Sequence, residues 1–156
     1  MNPLQAYVDT SVFGGCFDDE FQAPSRTFFD QVREGRFRLL TSAVVQAELE
    51  GAPNQVREFF EATLGWATVL EVSDEALALQ DAYLEAGIIP ARWARDALHV
   101  APASVSRSDF IAGWNFKHIV HLEKIPRYNA VNTLEGYPAI AIYSPREVLA
   151  YEEEDV

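Results

Sequence analysis

The stretch LQAYVDTSVFGG, residues 4–15, begins as a β-strand and ends on a carboxylate. The apolar residues between 4 and 8 are typical of a buried strand. They lead directly into Asp9, which is followed by Thr10, Ser11 and two glycines. An acid in this position is either a cap for the next helix or a member of a site where several acids meet. The rest of the chain bears on that choice.

Strand-forming runs alternate with helical patterns along the chain. The predicted strands are residues 4–9, 36–41, 67–72, 109–114 and 139–143, and the predicted helices are residues 25–34, 42–50, 54–64, 74–86, 91–104 and 117–135. Strands separated by helices indicate a mostly parallel sheet that is covered on both faces. The sequence therefore predicts one α/β domain over residues 1–150, followed by an acidic tail over residues 151–156.

The composition is typical of a globular intracellular domain. Of 156 residues, 49% are hydrophobic and 12% aromatic, which is enough for a core. The single cysteine, Cys16, has no partner for an internal disulfide, as expected in a reducing cytoplasm. No secretory signal pattern opens the chain, and no apolar run approaches the ~18 residues that a membrane span needs. We therefore expect a cytoplasmic protein without a membrane partner.

The formal net charge of −12 restricts the partners. An acidic surface repels polyanions, so the composition alone argues against a general nucleic-acid binder. It favours a cationic partner, bound metal ions, or both.

Two further acids lie beside the predicted core. Glu48 shares the apolar face of the predicted helix 42–50. Asp96 borders the apolar face of the predicted helix 91–104, and His99 follows three residues later. A buried acid is costly unless it is paired or bound to metal. We expect either a partner such as an arginine for Glu48 or a metal, and we interpret His99 as a structural residue.

Asn115 follows a predicted strand just as Asp9 does. Because the carboxyl ends of parallel strands meet at one edge of the sheet, polar groups at these ends are expected to lie close together. Asp109 begins its strand instead, about 20 Å away at ~3.3 Å per residue, and is expected outside the cluster. The sequence thus places four oxygen donors at one edge: Asp9, Glu48, Asp96 and Asn115.

A cluster of carboxylates needs neutralising charge. Two like charges ~4 Å apart repel by about 4 kcal/mol at an effective dielectric constant of 20. A divalent cation removes this repulsion, and all-oxygen ligands suit Mg²⁺ or Mn²⁺. Thr10 or Ser11 is expected to hydrogen-bond the free oxygen of Asp9 or a metal-bound water.

Several segments together resemble PIN-domain proteins, in particular the VapC-type toxin ribonucleases of type II toxin–antitoxin modules. These segments are YVDTSVFGG (7–15), SAVVQAELE (42–50), RDALHVA (95–101), WNFKH (114–118) and IPRYNAVNTLEGYPAIAIYSPREVL (125–149). The resemblance runs almost end to end and implies a PIN-like three-layer α/β/α sandwich. It also implies an endoribonuclease that uses Mg²⁺ or Mn²⁺, cleaves a structured RNA such as tRNA or rRNA, forms homodimers and is blocked by a cognate antitoxin.

The resemblance also implies roles for individual residues. Asp9, Glu48 and Asp96 match the catalytic, metal-binding acids, and the fourth metal-binding position falls on Asn115. The expected reaction is metal-assisted hydrolysis of a phosphodiester, with Glu48 orienting or deprotonating the attacking water.

Four further residues are expected to support that site. Thr10 or Ser11 supplies the hydroxyl beside the first acid. Lys117 is the expected substrate contact, and His118 is either a structural residue or a contact to phosphate.

Three departures from the family pattern leave a second interpretation open. Asn115 brings no charge, Gly113 stands where relatives tend to have serine or threonine, and Pro102 is expected to kink or end the helix that carries Asp96. With the charge of −12, these departures also fit a PIN-fold protein that binds an antitoxin or another partner but has weak or no catalytic activity.

Other enzyme classes fit less well. A phospho-accepting receiver-like domain resembles paired acids after the first strand and a lysine after the last, whereas Asp9 stands alone and no lysine follows AIAIY (139–143). The chain lacks the GxGxxG turn of dinucleotide-binding folds and the GxSxG turn of α/β hydrolases.

Overall fold

The computed structural model describes residues 2–154 and the side chains of residues 2–150. Within this part the strands are Leu4–Val8 (β1), Phe37–Ser42 (β2), Ala67–Leu70 (β3), Phe110–Ala112 (β4) and Ala141–Tyr143 (β5). The α-helices are Thr10–Gly15 (α1), Gln22–Arg33 (α2), Ala43–Leu49 (α3), Asn54–Thr63 (α4), Asp74–Glu85 (α5), Ala94–Val105 (α6), Lys124–Leu134 (α7) and Pro145–Glu154 (α8). Short 3₁₀ helices cover Leu64–Trp66 and Ala91–Trp93.

The five strands form one parallel sheet in the order β3-β2-β1-β4-β5. Tyr7 in the central strand β1 pairs with Leu40 of β2 on one side and Ile111 of β4 on the other. The chain builds the sheet outward from β1 in one direction and then returns to add β4 and β5 in the other. Ligands of open parallel sheets bind outside the carboxyl ends of strands at such a reversal. This rule directs attention to the ends of β1 and β4.

Two hydrophobic cores cover the two faces of the sheet. Successive strand residues point to opposite faces, so Ala6 and Val8 face one core while Tyr7 faces the other. Helices α1, α2, α3, α4 and α8 pack on the first face, and α5, α6 and α7 pack on the second. The predicted three-layer α/β/α sandwich with a parallel sheet is therefore confirmed.

All five predicted strands are present, but one predicted helix is wrong at its start. The helix expected over residues 117–135 begins only at Lys124, and turns cover residues 116–119. Pro126 explains the difference, because a proline is tolerated in the first turn of a helix but not in its interior. Helices α1 and α8 were not predicted.

Helix α6 continues through Pro102 to Val105, so of the two expected effects of this proline the end of the helix is ruled out and the kink stays a prediction. Pro102 is buried, with the buried Ala101 and Ala103 beside it in the second core. We attribute the continuation to this burial, which offsets the lost hydrogen bond. Asp96 lies in the first turn of α6, well before Pro102.

The predicted acidic tail begins inside α8, which continues to Glu154. Residues 155–156, like Met1, lie outside the described part of the chain.

None of the helices described is both long enough and apolar enough to cross a membrane. The cytoplasmic location stays a prediction.

Candidate active site

Asp9 lies just past the carboxyl end of β1 and is only 2% exposed. It caps α1, because its Oδ1 accepts hydrogen bonds from the Ser11 amide at 3.1 Å and the Ser11 hydroxyl at 2.5 Å. Its Oδ2 accepts no hydrogen bond from any described residue. Burial raises the pKa of Asp9, outweighing the charge of His99 and the Ser11 hydrogen bonds, which lower it. Asp9 is thus a helix cap with one carboxylate oxygen still without a partner.

Gly113 lies directly against this carboxylate. A Cβ atom at this position would lie 2.7 Å from Asp9 Oδ2 and 3.0 Å from Asp9 Cγ. The absence of a side chain at this position therefore makes room for the acid, and a serine or threonine does not fit beside Asp9 in this arrangement. The nearby hydroxyl comes from Ser11, whose Oγ also accepts a hydrogen bond from the Trp114 amide at 2.8 Å.

Glu48 projects from α3 toward the same edge of the sheet, with 23% of its side chain exposed. Its Oε1 accepts hydrogen bonds from the Thr10 hydroxyl at 3.0 Å and from His99 Nε2. Of the two expected alternatives for Glu48, the protein partner is present and is a histidine, while the metal stays a prediction. Burial raises the pKa of Glu48, but the hydrogen bond and charge of His99, the Thr10 hydroxyl and the charge of Arg95 together lower it below the ordinary value.

The hydrogen bonds continue from His99 into the protein. The Tyr7 hydroxyl lies 3.0 Å from His99 Nδ1 and 2.8 Å from Ser42 Oγ. Burial raises the pKa of Tyr7, so its hydroxyl remains protonated. The two ring nitrogens of His99 thus bond the Tyr7 hydroxyl and Glu48 Oε1, and the Tyr7 hydroxyl in turn bonds Ser42 Oγ. A buried chain from the first two strands thus fixes the orientation of Glu48.

Asp96 lies in the first turn of α6, with 19% of its side chain exposed. Its Oδ2 accepts a hydrogen bond from His118 Nδ1 at 2.6 Å. His118 is buried, its amide donates to Asn115 Oδ1 at 3.0 Å, and its carbonyl accepts from the Tyr128 hydroxyl at 2.7 Å. This arrangement favours the structural interpretation of His118. Asn115 caps the turn after β4, and its amide oxygen retains a second lone pair.

The exposed Lys117 lies over an aromatic ring. Its Nζ is 4.7 Å from the centroid of Trp93, whose ring centroid lies 5.2 Å from that of His118. Trp93 is 39% exposed, although it directly precedes the largely buried α6. The short 3₁₀ turn before α6 rotates it out of the helical register.

Glu48 and Asp96 open into one cleft with a volume of ≈ 560 Å³. The other residues that line it are Gln80, Arg92, Trp93, Ala94, Arg95 and Leu98. A second cleft of ≈ 570 Å³ lies between α3 and α4 and contains none of the predicted site residues. The two clefts have similar volumes, so size does not identify the functional one. Only the first cleft contains predicted site residues, namely Glu48 and Asp96.

The donors at this edge suit a hard divalent cation. Asp9, Glu48 and Asp96 each have one oxygen held by a protein donor and one that accepts no hydrogen bond within the described residues. Hydrogen-bonded carboxylates of this kind are typical of metal ligands. No three histidine, cysteine, aspartate or glutamate side chains within residues 2–150 converge into a metal cage. Mg²⁺ does not require one, since it usually keeps several waters and binds through one or two carboxylates.

The sequence-predicted residues therefore form two groups around the end of β1. Thr10 and Ser11 connect Asp9 and Glu48 to α1, and the pair of Asp96 with His118 forms the other group. Asp109 lies at the far end of the sheet, as predicted, where its Oδ2 accepts a hydrogen bond from the Gln5 amide at 2.6 Å.

The buried chain behind Glu48 was missed by sequence reasoning. The only signal for His99 was its position three residues after Asp96, and Tyr7 was indistinguishable from an ordinary strand residue.

No family model and no curated protein matches the sequence. Solved structures do match. A chain of the crystal structure of VapBC2 from Rickettsia felis, bound to a DNA fragment from the promoter, is 12% identical with a TM-score of 0.59, covering 90% of this chain and 98% of its own. A chain of DNA-bound VapBC from Salmonella typhimurium is 16% identical with a TM-score of 0.60, and the match covers 91% of this chain and 98% of that one. A chain of FitAcB from Neisseria gonorrhoeae is 14% identical with a TM-score of 0.56, and the match covers 90% of this chain and 97% of that one.

These likenesses cover nearly all of both chains in each case. At such low identities they establish the fold and not the activity. The chain has the PIN-like fold, and its resemblance to VapC-type proteins is confirmed at the level of fold.

Proposed function

We propose that the chain is a Mg²⁺- or Mn²⁺-dependent endoribonuclease, the toxin of a type II toxin–antitoxin module, which hydrolyses RNA phosphodiester bonds. The observation that carries this proposal is the state of Asp9, Glu48 and Asp96. Each is oriented by a protein donor through one oxygen and keeps the other oxygen without a partner at the edge where sites of parallel sheets lie.

The three acids have different environments, which suits different roles. The lowered pKa of Glu48 means that its carboxylate is ionised at neutral pH. An ionised carboxylate can orient an attacking water or accept its proton, although the lowered pKa makes it a weaker base and favours the orienting role. Asp9 and Asp96 would hold the ion, with Asn115 as a further oxygen donor. The ion, when bound, supplies positive charge to the phosphoryl oxygens and lowers the pKa of water.

His99 fixes which oxygen of Glu48 is free to act as a base. Because Oε1 is held by Thr10 and His99, Oε2 remains for the attacking water. This is positioning of a catalytic group by a rigid shell.

A cognate antitoxin is the proposed protein partner. Solved structures that share this fold include those of VapBC2, VapBC and FitAcB. The homodimer and a structured RNA substrate such as tRNA or rRNA stay predictions.

A second function is favoured by one observation. Asn115 brings no negative charge and its amide oxygen is already used by the His118 amide. Together with the net charge of −12, this fits a PIN-fold protein that binds its partner with weak or no turnover.

Cleavage of total RNA distinguishes the two functions. Purified, antitoxin-free protein is incubated with RNA and Mn²⁺ or Mg²⁺, beside an EDTA control. An Asp9→Asn variant tests the site, and Asp19→Asn makes the same change at an exposed residue. Discrete cuts that need the metal and Asp9, but not Asp19, support the nuclease. Intact RNA from protein that is folded by circular dichroism supports the non-catalytic binding protein.

A further inference from the structure

Two arginines lie in the same cleft as two of the acids. Arg92 and Arg95 line it together with Glu48 and Asp96. Both arginines are exposed, and neither has a hydrogen bond or ion pair with any described residue. Their guanidinium groups remain available to a ligand.

The backbone holds the two arginines in place. Arg92 belongs to the 3₁₀ turn Ala91–Trp93, and Arg95 lies in the first turn of α6. Gln80 of α5 donates a hydrogen bond to the Ala94 carbonyl at 2.8 Å and ties this segment to the neighbouring helix. The two side chains are three residues apart and therefore lie on the same side of the segment.

The charge of Arg95 reaches Glu48. It is one of the causes that lower the pKa of Glu48, although no ion pair joins the two side chains. An anion held by Arg95 would therefore lie beside the carboxylate that is proposed to act as the base. Guanidinium groups bind phosphates through two parallel hydrogen bonds, which fixes orientation as well as position.

The rim of the cleft also carries an aromatic surface. The indole of Trp93 is 39% exposed and lies beneath the ammonium group of Lys117. Basic side chains combined with exposed aromatic rings are typical of proteins that bind single-stranded nucleic acids. The cleft volume of ≈ 560 Å³ lies within the range of about 300–1,000 Å³ of small-ligand sites.

From this geometry we propose that Arg92 and Arg95 form a phosphate-binding rim that holds the backbone of an unpaired RNA segment against Glu48 and Asp96. The inference rests on the proposed ribonuclease function and names how its substrate is held. It also explains how a chain of net charge −12 engages a polyanion, since the cleft offers unpaired positive charge where the phosphodiester must lie.

Binding without cleavage tests this rim. Anisotropy of a fluorescein-labelled, unpaired RNA 12-mer is measured in EDTA with the Asp9→Asn protein. Arg92→Ala and Arg95→Ala are each expected to weaken binding about tenfold, as for the loss of a hydrogen bond to a charged group. Each is also expected to reduce the slope of log K against log salt by about 0.7. Arg38→Ala is the matched control, because Arg38 is exposed on β2 and has no partner among the described residues.

Equal affinity of the Arg92 and Arg95 variants with the Arg38 variant overturns the proposal, as does failure of the Asp9→Asn protein to bind the RNA. A labelled acidic peptide of equal charge is the second ligand. If the peptide binds as tightly as the RNA, and the two arginine variants weaken its binding as much as they weaken RNA binding, the rim is a protein-contact surface and the proposal is wrong. Unaltered melting temperatures show that the variants are folded.

The two proposals fail separately. If the wild type does not cut RNA but RNA binding still depends on the two arginines, the phosphate-binding rim is supported and the nuclease proposal is wrong. Metal-dependent cutting that is unchanged in the two arginine variants removes the rim and keeps the nuclease.

Discussion

The carboxylate of Glu48 on α3 is held by the buried ring of His99 on α6. The other nitrogen of that ring bonds the Tyr7 hydroxyl on β1, and Tyr7 bonds Ser42 at the end of β2. Four elements of the fold are therefore joined behind one candidate catalytic side chain. A polar network in the interior is rigid when every member is satisfied and costly when one is removed.

Tyr7→Phe is expected to lower the free energy of unfolding by about 1–3 kcal/mol, because it leaves the buried Nδ1 of His99 without a hydrogen-bond partner. Urea unfolding measures the change. Tyr137→Phe is the matched control, since the Tyr137 hydroxyl has no hydrogen-bond partner within the described residues and its loss should cost little. Equal effects of the two variants would show that the chain behind Glu48 carries no special stability.

Gly113→Ser is expected to reduce both stability and RNA cleavage. Its Cβ would lie 2.7 Å from Asp9 Oδ2, and the buried Asp9 has little room to move. Overpacking of this kind costs about 1–3 kcal/mol. Gly14→Ala is the control, because no atom lies within 4 Å of a Cβ there and alanine is favoured over glycine in a helix by roughly 0.5–1 kcal/mol.

Thermal melting and the RNA assay together check this prediction. A Gly113→Ser protein that melts and cuts like the wild type would mean that Asp9 moves aside easily and that the glycine is not required.

Asp9→Asn is expected to stabilise the metal-free protein at neutral pH. Burial raises the folded-state pKa of Asp9 above its ordinary value of 3.8, so the stability linked to this group is present below that value and is lost as the pH rises through the folded pKa. The variant removes the buried charge and keeps an oxygen that accepts from Ser11. In EDTA, its gain in melting temperature over the wild type should grow with rising pH from about 4 and then level off. A wild type that is the more stable protein at pH 7 without metal contradicts this prediction.

Glu48→Gln is expected to show the opposite trend. The folded-state pKa of Glu48 lies below its ordinary value of 4.5, so its stabilising contribution is present above that value and is lost as the pH falls through the folded pKa. The variant should therefore melt below the wild type at neutral pH, and the gap should narrow in acid. Glu50→Gln, at an exposed position next to the end of α3, should show no such gap. If the difference in melting temperature between the wild type and Glu48→Gln widens in acid, the folded-state pKa of Glu48 is raised and not lowered.

The sequence pattern located the site residues but not their partners. Asp9 was found because an apolar run typical of a buried strand ends abruptly on a polar residue. The histidine partner of Glu48 comes from a helix about fifty residues away in the chain, and no local pattern encodes which side chain of α6 reaches it. The contact of Gly113 with Asp9 was missed for the same reason, since only the pairing of β1 with β4 brings the glycine against this acid.

The start of α7 shows a further limit. Apolar periodicity over residues 117–135 favoured one long helix. The turn that Asn115 caps through the His118 amide and the position of Pro126 both oppose it. The turn capped by Asn115 and the position of Pro126 together outweighed the apolar periodicity. The position of this turn depends on where β4 ends.

Asn115→Asp tests whether the fourth position limits metal binding. Without metal, the new carboxylate is expected to lower the melting temperature, because it adds negative charge to a site that already holds the Asp9, Glu48 and Asp96 carboxyls. With Mn²⁺ the order should reverse, since a ligand that binds the folded state stabilises it by about 2.7 kcal/mol at one hundred times its Kd, and the variant should have the lower Kd. An oxygen at this position still accepts from the His118 amide, so the turn after β4 is preserved. Melting of the wild type and the variant in EDTA and across a Mn²⁺ titration measures both effects, and a Mn²⁺ response unchanged by the substitution would place Asn115 outside the metal site.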